Sequence, residues 1–189
     1  DAVFRVLTTW RDQPELRLVK NYHDNPAYIN ALREQVLSSW DKAGRPHFAA
    51  GDRFIMSFHG LPKRNLMKGD PYHCQCMKTG RLLREALQLP KEKFMVCFQS
   101  RFGNEEWLKP YLIDTMGELP AKGIKKVMVI APGFSADCLE TLEEIEGENR
   151  EHFMHHGGEK FAYVPCLNDS EEGLDVIQSV VLRELQGWI

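Results

Sequence analysis

Several features that would define special classes of protein are missing from this chain of 189 residues. No apolar run approaches the roughly 18 residues that span a bilayer, and the first residues lack the basic and apolar regions of a signal peptide. A formal net charge of −3, without a basic stripe interleaved with aromatic side chains, gives nucleic-acid binding no support. With 43% hydrophobic and 27% charged residues, the composition is that of an ordinary globular domain.

The cysteines also lack the pattern of a disulfide or zinc framework. There are five, an odd number with irregular spacing, which favours a reducing compartment. Cys74 and Cys76 form a C-x-C pair, but no second pair follows at the spacing of a zinc site. We therefore expect free thiols at Cys74, Cys76, Cys97, Cys138 and Cys166.

The chain does contain a regular alternation of short apolar runs and helical patterns. Strands are predicted at residues 16–20, 54–59, 93–98, 126–130 and 161–164, and helices begin near residues 25, 70, 112, 137 and 171. Strands separated by helices of ten or more residues indicate right-handed crossovers and a parallel sheet covered on both faces. We predict a single three-layer α/β/α domain over residues 1–189.

Three further expectations concern particular segments. Residues 63–69 are predicted to form a polar loop that could reach over a site. No helix start is visible in residues 1–13, so the chain is expected to begin inside an element. The last helix is expected to bury an apolar face formed by Leu174, Ile177, Val181 and Leu185.

The carboxyl ends of three predicted strands carry unusual sequence. The first ends in His59 and a turn, the second runs into residues 99–103, and the third into residues 132–134. Because parallel strands share one carboxyl edge, where ligands bind in open α/β sheets, these segments should meet there. Glu140 lies in the first turn of the next helix, so we predict a crevice containing His59 and Glu140.

Each of these residues also has a purely structural interpretation. His59 could be an ordinary strand-end histidine, and Glu140 could close a capping box with Asp137. Glu144 and Glu148 extend Glu140 into a row that is either a solvated face or a track for a divalent cation. The aromatic residues near this edge could wall a flat apolar pocket or serve only as packing anchors; they are Phe102, Trp107 and Phe134.

Four blocks make the chain resemble the ferrochelatases. They are SFHGLP at 57–62, GDPY at 69–72, FQSRFG at 98–103 followed by Trp107 and Leu108, and PGFSADCLETL at 132–142. The similarity follows the family's order and spacing and runs to the end of the final helix. The family fold has two similar α/β halves with the porphyrin between them, and this chain resembles the second. We therefore expect a C-terminal fragment, without the N-terminal half and inactive alone.

The resemblance implies insertion of Fe²⁺ into protoporphyrin IX to form protohaem, the last step of haem biosynthesis. The roles it implies are catalysis and metal binding for His59 and Glu140, a metal or proton conduit for Glu144 and Glu148, and porphyrin binding for Ser57, Trp107 and Phe134. Pyrrole N–H groups are very weak acids, so metal insertion needs a nearby base such as neutral imidazole.

Departures from the family pattern bear on metals and cofactors. Cys138 stands where some members have a second histidine, so any role of that histidine is not carried over. The chain ends without the cysteine-rich tail that holds a [2Fe–2S] cluster in some members, so we expect no cluster and no prosthetic group, with Fe²⁺ as substrate. We expect a cytoplasmic protein, with peripheral membrane contact left open because the porphyrin substrate is poorly soluble.

Three other functions stay open at this point. One is a chelatase of the same fold that inserts cobalt or nickel into another tetrapyrrole, or iron into coproporphyrin. Another is a non-catalytic α/β module whose crevice only holds a ligand. The third is a structural half-domain whose aromatic crevice is an interface.

Overall fold

The computed structural model describes residues 1–188 and contains one four-stranded parallel sheet. The strands are β1 (Arg53–His59), β2 (Phe94–Gln99), β3 (Lys126–Ile130) and β4 (Lys160–Val164), in the order β2-β1-β3-β4. His59 pairs with Gln99, so β1 and β2 end at the same level. The last four of the five predicted strands are thus confirmed, and they share one carboxyl edge.

Helices cover both faces of this sheet. They are α1 (Ala2–Leu7), α2 (Pro26–Ala43), α3 (Lys63–Met67), α4 (Tyr72–Ala86), α5 (Leu112–Glu118), α6 (Leu139–Thr141), a π-helix (Leu142–Asn149), α7 (Arg150–His155) and α8 (Glu171–Glu184). Short 3₁₀ turns lie at Phe48–Ala50, Lys91–Lys93 and Pro120–Lys122. None of the helices in residues 1–188 is long and apolar enough to cross a membrane.

Alternation along β1 builds the two cores on either side of the sheet. Phe54, Met56 and Phe58 point to the face covered by α2 and α4, while Ile55 points to the face covered by α5 and α7. Residues of β1 between Phe54 and Phe58 are buried on both faces, as expected for a central parallel strand. The predicted three-layer α/β/α architecture is confirmed.

The start of the chain differs from the prediction. Residues 16–20 form no strand, and the segment is held instead by Arg17, whose guanidinium donates to the carbonyl of Gln186 at 2.7 Å and lies over the Trp188 ring. A short helix, α1, occupies part of residues 1–13, where no start signal was visible. The predicted polar loop at 63–69 likewise contains the short helix α3. In each case a short segment lacks the length needed for a periodic signal.

The buried face of α8 is not the predicted one. Leu174, Ile177 and Val181 are about half exposed, whereas Gly173 and Val176 are buried. A Cβ atom on Gly173 would lie 3.1 Å from the Leu167 side chain, so its absence lets α8 approach along that side. Amphipathic spacing therefore identified the helix but not the face that packs.

Candidate active site

His59 ends β1 with one ring nitrogen already engaged. Its Nδ1 lies 2.7 Å from the carbonyl oxygen of Gly60. A carbonyl can only accept, so Nδ1 carries a proton, and Nε2 is the nitrogen left to bind a proton or a metal. The Tyr72 hydroxyl donates to the backbone carbonyl of His59 at 2.9 Å and fixes the strand end. The half-buried imidazole is therefore a pre-oriented base or metal ligand.

A glycine is needed at position 60 because the backbone there passes very close to the Gln99 carbonyl and the Trp107 ring. The Gly60 amide donates to the carbonyl of Gln99 at 2.8 Å. A Cβ atom added at Gly60 would lie 2.7 Å from that same carbonyl oxygen and 3.1 Å from the Trp107 ring. Any larger residue would have to displace β2 or the tryptophan.

Glu140 is near enough to His59 for the imidazole to act on its carboxylate, and its role in the site stays a prediction. A hydrogen bond from the Cys138 thiol, a backbone amide and the nearby His59 imidazole together hold the pKa of Glu140 below its usual value. Burial and the Glu140 carboxylate raise the pKa of the Cys138 thiol. At neutral pH the pair is thus a carboxylate beside a neutral thiol, next to an imidazole.

The capping box of Asp137 and Glu140, the structural alternative for Glu140, is not formed. The N-cap residue is Cys138, whose amide donates to the Thr141 hydroxyl at 2.9 Å. The Asp137 carboxylate instead accepts from the Tyr163 hydroxyl at 2.7 Å and from the Asn168 amide at 2.8 Å. Glu140 is consequently not needed to close its helix.

Glu144 is tied to the end of β2 rather than free in solvent. Its carboxylate accepts from the Ser100 amide at 2.6 Å, from the Ser100 hydroxyl, and from the Gln99 side chain at 3.3 Å. Gln99 also donates to the Glu140 carbonyl at 2.7 Å. These bonds join the π-helix to the strand ends, a connection that the sequence did not predict.

Ser57 belongs to the same network. Its side chain is fully buried, and its hydroxyl donates to the Gln99 side-chain oxygen at 2.6 Å. Ser57 is therefore enclosed together with the likewise buried Gln99, and its contact with porphyrin stays a prediction. The Glu148 side chain is exposed. Among residues 1–188, no group of three or more histidine, cysteine, aspartate or glutamate side chains is placed so that it could hold a metal ion. The conduit through Glu144 and Glu148 also stays a prediction.

The aromatic residues divide into buried and exposed members. Trp107 is 5% exposed, and its indole N–H is buried without a hydrogen-bond partner. Phe102 lies against it, with ring centroids 5.2 Å apart, and is 76% exposed. Phe134 is partly buried against the core on the α5 side. Phe102 is thus the aromatic side chain most available to an incoming ligand.

A cavity of about 240 Å³ opens beside the histidine on the α2 and α4 side. Tyr72, which holds the His59 carbonyl, is part of its lining, as is Pro132 next to the Phe134 turn. Burial raises the pKa of Cys76 in the same wall to about 12, so that thiol is neutral. The tyrosines of this wall were not singled out from the sequence, because their convergence depends on how α2 and α4 pack.

Comparison with known proteins gives a consistent result. The ferrochelatase family model matches residues 1–185. Curated relatives include the ferrochelatases of Allorhizobium ampelinum, Nitrosococcus oceani and Thioalkalivibrio sulfidiphilus, which are 55%, 52% and 53% identical to this chain. Each match covers 100% of this chain but 54%, 50% and 50% of the relative. The chain spans about half the length of the curated relatives it matches.

Proposed function

The chain belongs to the ferrochelatase family, and on that premise we propose that it supplies the His59 and Glu140 side of a site that inserts Fe²⁺ into protoporphyrin IX to form protohaem. The observation that carries this proposal is the pairing at one sheet edge of an imidazole with a free Nε2 and a carboxylate of lowered pKa.

The two residues suit different parts of the reaction. Insertion replaces two pyrrole N–H protons by one Fe²⁺, so both protons must leave the macrocycle. Nε2 of His59 has one lone pair, which in any single step holds either a proton or the metal. A carboxylate with a lowered pKa is a weak base but a good oxygen ligand. We therefore assign the pyrrole protons to His59, which takes the first, releases it to solvent and then takes the second, while Glu140 stabilises the imidazolium and binds the Fe²⁺ before its insertion.

The opposite wall of the site is the second element of the proposal. Phe102, Glu140 and the cavity beside Tyr72 all lie open along one edge of the sheet. A flat macrocycle needs contact on both faces if it is to be bent and held for metal entry. This chain matches about half of each relative. We propose that a segment corresponding to the other half of those relatives supplies the second wall, and that this chain alone metallates porphyrin poorly.

Two further assignments are proposals of the same kind. Binding of a [2Fe–2S] cluster is not part of the function we propose, which needs only Fe²⁺ and porphyrin as substrates. We also place the reaction in the cytoplasm, with contact to a membrane surface as the route by which a poorly soluble porphyrin is delivered.

A chimera tests the proposed chemistry. This chain would replace the matching segment of the Allorhizobium ampelinum ferrochelatase, which is 55% identical, and metal insertion would be followed by the change in porphyrin fluorescence. We expect activity in the chimera and a loss of about 10²- to 10⁴-fold in its His59→Ala variant, because a positioned base contributes that much. His47→Ala, at an exposed histidine away from this edge, is the control.

Porphyrin binding must be measured alongside turnover. If His59→Ala keeps both porphyrin binding and full insertion activity, the assignment of the base is wrong. An inactive chimera that binds porphyrin would instead favour the non-catalytic binding module. Comparing Fe²⁺, Co²⁺, Ni²⁺ and Zn²⁺ in the active chimera would separate ferrochelatase from chelatases of other metals.

A further inference from the structure

Three histidines cluster at the end of α7, far from the candidate active site. The His152 and His156 rings have centroids 4.2 Å apart, and the centroid of the His155 ring lies 5.5 Å from that of His156. The turn that follows joins the start of β3, since Lys125 donates through its side chain to the carbonyl of Gly157 at 2.9 Å. The cluster therefore lies at the amino edge of the sheet. A five-residue strand separates that edge from the carboxyl edge by about 16 Å.

His156 presents one free nitrogen in a fixed orientation. Its Nδ1 lies 2.8 Å from the carbonyl oxygen of His152. Because that carbonyl can only accept, Nδ1 carries the proton and the lone pair of Nε2 is available. A hydrogen bond to the non-ligating nitrogen is how metal-binding histidines are usually oriented and made more basic.

The position of His152 is fixed by packing between two helices. Its ring packs over Gly117, where an added Cβ atom would lie 2.8 Å from Nε2. Gly117 thus makes room for this imidazole between α5 and α7.

We propose that His152 and His156 bind a divalent first-row cation of borderline softness, such as Ni²⁺, Cu²⁺ or Zn²⁺, with His155 and water completing the site. Imidazole is the ligand these metals share. Two histidine nitrogens on one tetrahedral zinc lie about 3.3 Å apart, and rings with centroids 4.2 Å apart can meet that spacing. No set of three ligands is preformed in residues 1–188, so His155 must rotate toward the other two. This inference rests on the cluster alone and not on the proposed function.

Calorimetric titration with Ni²⁺ tests the site in the 189-residue chain carrying His59→Ala, which removes the imidazole of the candidate active site. We expect one Ni²⁺ to bind, at least tenfold more weakly after the further change His156→Gln, and with unchanged affinity after the control change His47→Gln. Both altered side chains are exposed, so circular dichroism should show the same fold in each variant.

Two outcomes would overturn the proposal. One is equally tight binding in the His156→Gln variant, and the other is no Ni²⁺ binding in the His59→Ala chain. His156→Gln should leave porphyrin metallation in the chimera unchanged, while His59→Ala should slow it by about 10²- to 10⁴-fold without affecting this Ni²⁺ site. The two proposals can therefore fail independently.

Discussion

The close approach at Gly60 makes a quantitative prediction for the change Gly60→Ala. The added methyl group would lie 2.7 Å from a backbone oxygen of β2, which cannot move aside as a flexible side chain could. Overpacking of this kind costs about 1–3 kcal/mol. Alanine also restricts the unfolded chain, which returns about 0.4–1 kcal/mol. The clash is the larger effect, so we expect a net loss of about 1–2 kcal/mol in the free energy of unfolding, or about 2–8 °C in Tm.

Gly147→Ala is the matched control, because a Cβ atom there would make only an ordinary contact of 3.6 Å with the Leu142 carbonyl. Urea unfolding should show this variant to be as stable as the parent or slightly more so. In the chimera, Gly60→Ala should also slow metallation, since the Gly60 carbonyl orients the His59 ring. If Gly60→Ala unfolds at the same urea concentration as Gly147→Ala, the close approach does not constrain this site.

Two further predictions concern the acidic residues around the site. Glu144→Ala should lower the free energy of unfolding by about 1–3 kcal/mol, because the buried Gln99 side chain and the Ser100 amide each lose the carboxylate as an acceptor. The control change Glu148→Ala, at an exposed residue, should alter it by less than about 0.5 kcal/mol. Equal effects of the two changes in urea unfolding would refute the network. Burial opposes ionisation of Asp137, but hydrogen bonds from Asn168 and Tyr163 outweigh it and hold its pKa below the usual value. The contribution of ionised Asp137 to stability is therefore present above the unfolded-state pKa of about 3.9 and is lost as the pH falls through the lower folded-state pKa. The Asp137→Asn variant should be less stable than the parent at pH 7 and should approach the stability of the parent at pH 3. A constant difference in stability between pH 7 and pH 3 would contradict this linkage.

Those parts of the fold that depend on local patterns could be predicted from the sequence. β3 has the predicted bounds, Lys126–Ile130, because an apolar run between turn-forming residues has few alternatives. The N-cap at Asn25 is also as expected, since its side chain accepts from the Ala27 amide at 2.8 Å. The expectation that His59 and Glu140 lie at one edge followed from topology alone, because parallel strands bring their carboxyl ends to one edge.

Those parts that depend on packing between distant segments could not be predicted. Leu174 and Ile177 share an apolar face of α8, but the approach allowed by Gly173 buries a different side of the helix. The hydrogen bonds from Gln99 and Ser100 to Glu144 depend on the π-helix, whose widened turn leaves no periodic signal in the sequence. Sequence patterns thus identified the elements and their order, while side-chain partners required three-dimensional contacts.

The ionisation of Glu140 depends on contacts that its neighbour Asp137 makes with residues distant in the sequence. Asp137 and Glu140 have the spacing of a capping box, in which the glutamate would turn back to the start of its helix. Tyr163 of β4 and Asn168 of the loop that follows it prevent this, because they bind the Asp137 carboxylate and leave the N-cap position to Cys138. The Cys138 thiol then donates to Glu140 and, with the nearby His59, keeps it ionised. Disrupting the contacts of Asp137 should therefore perturb the candidate site, even though the hydrogen bonds of its carboxylate run to Tyr163 and Asn168.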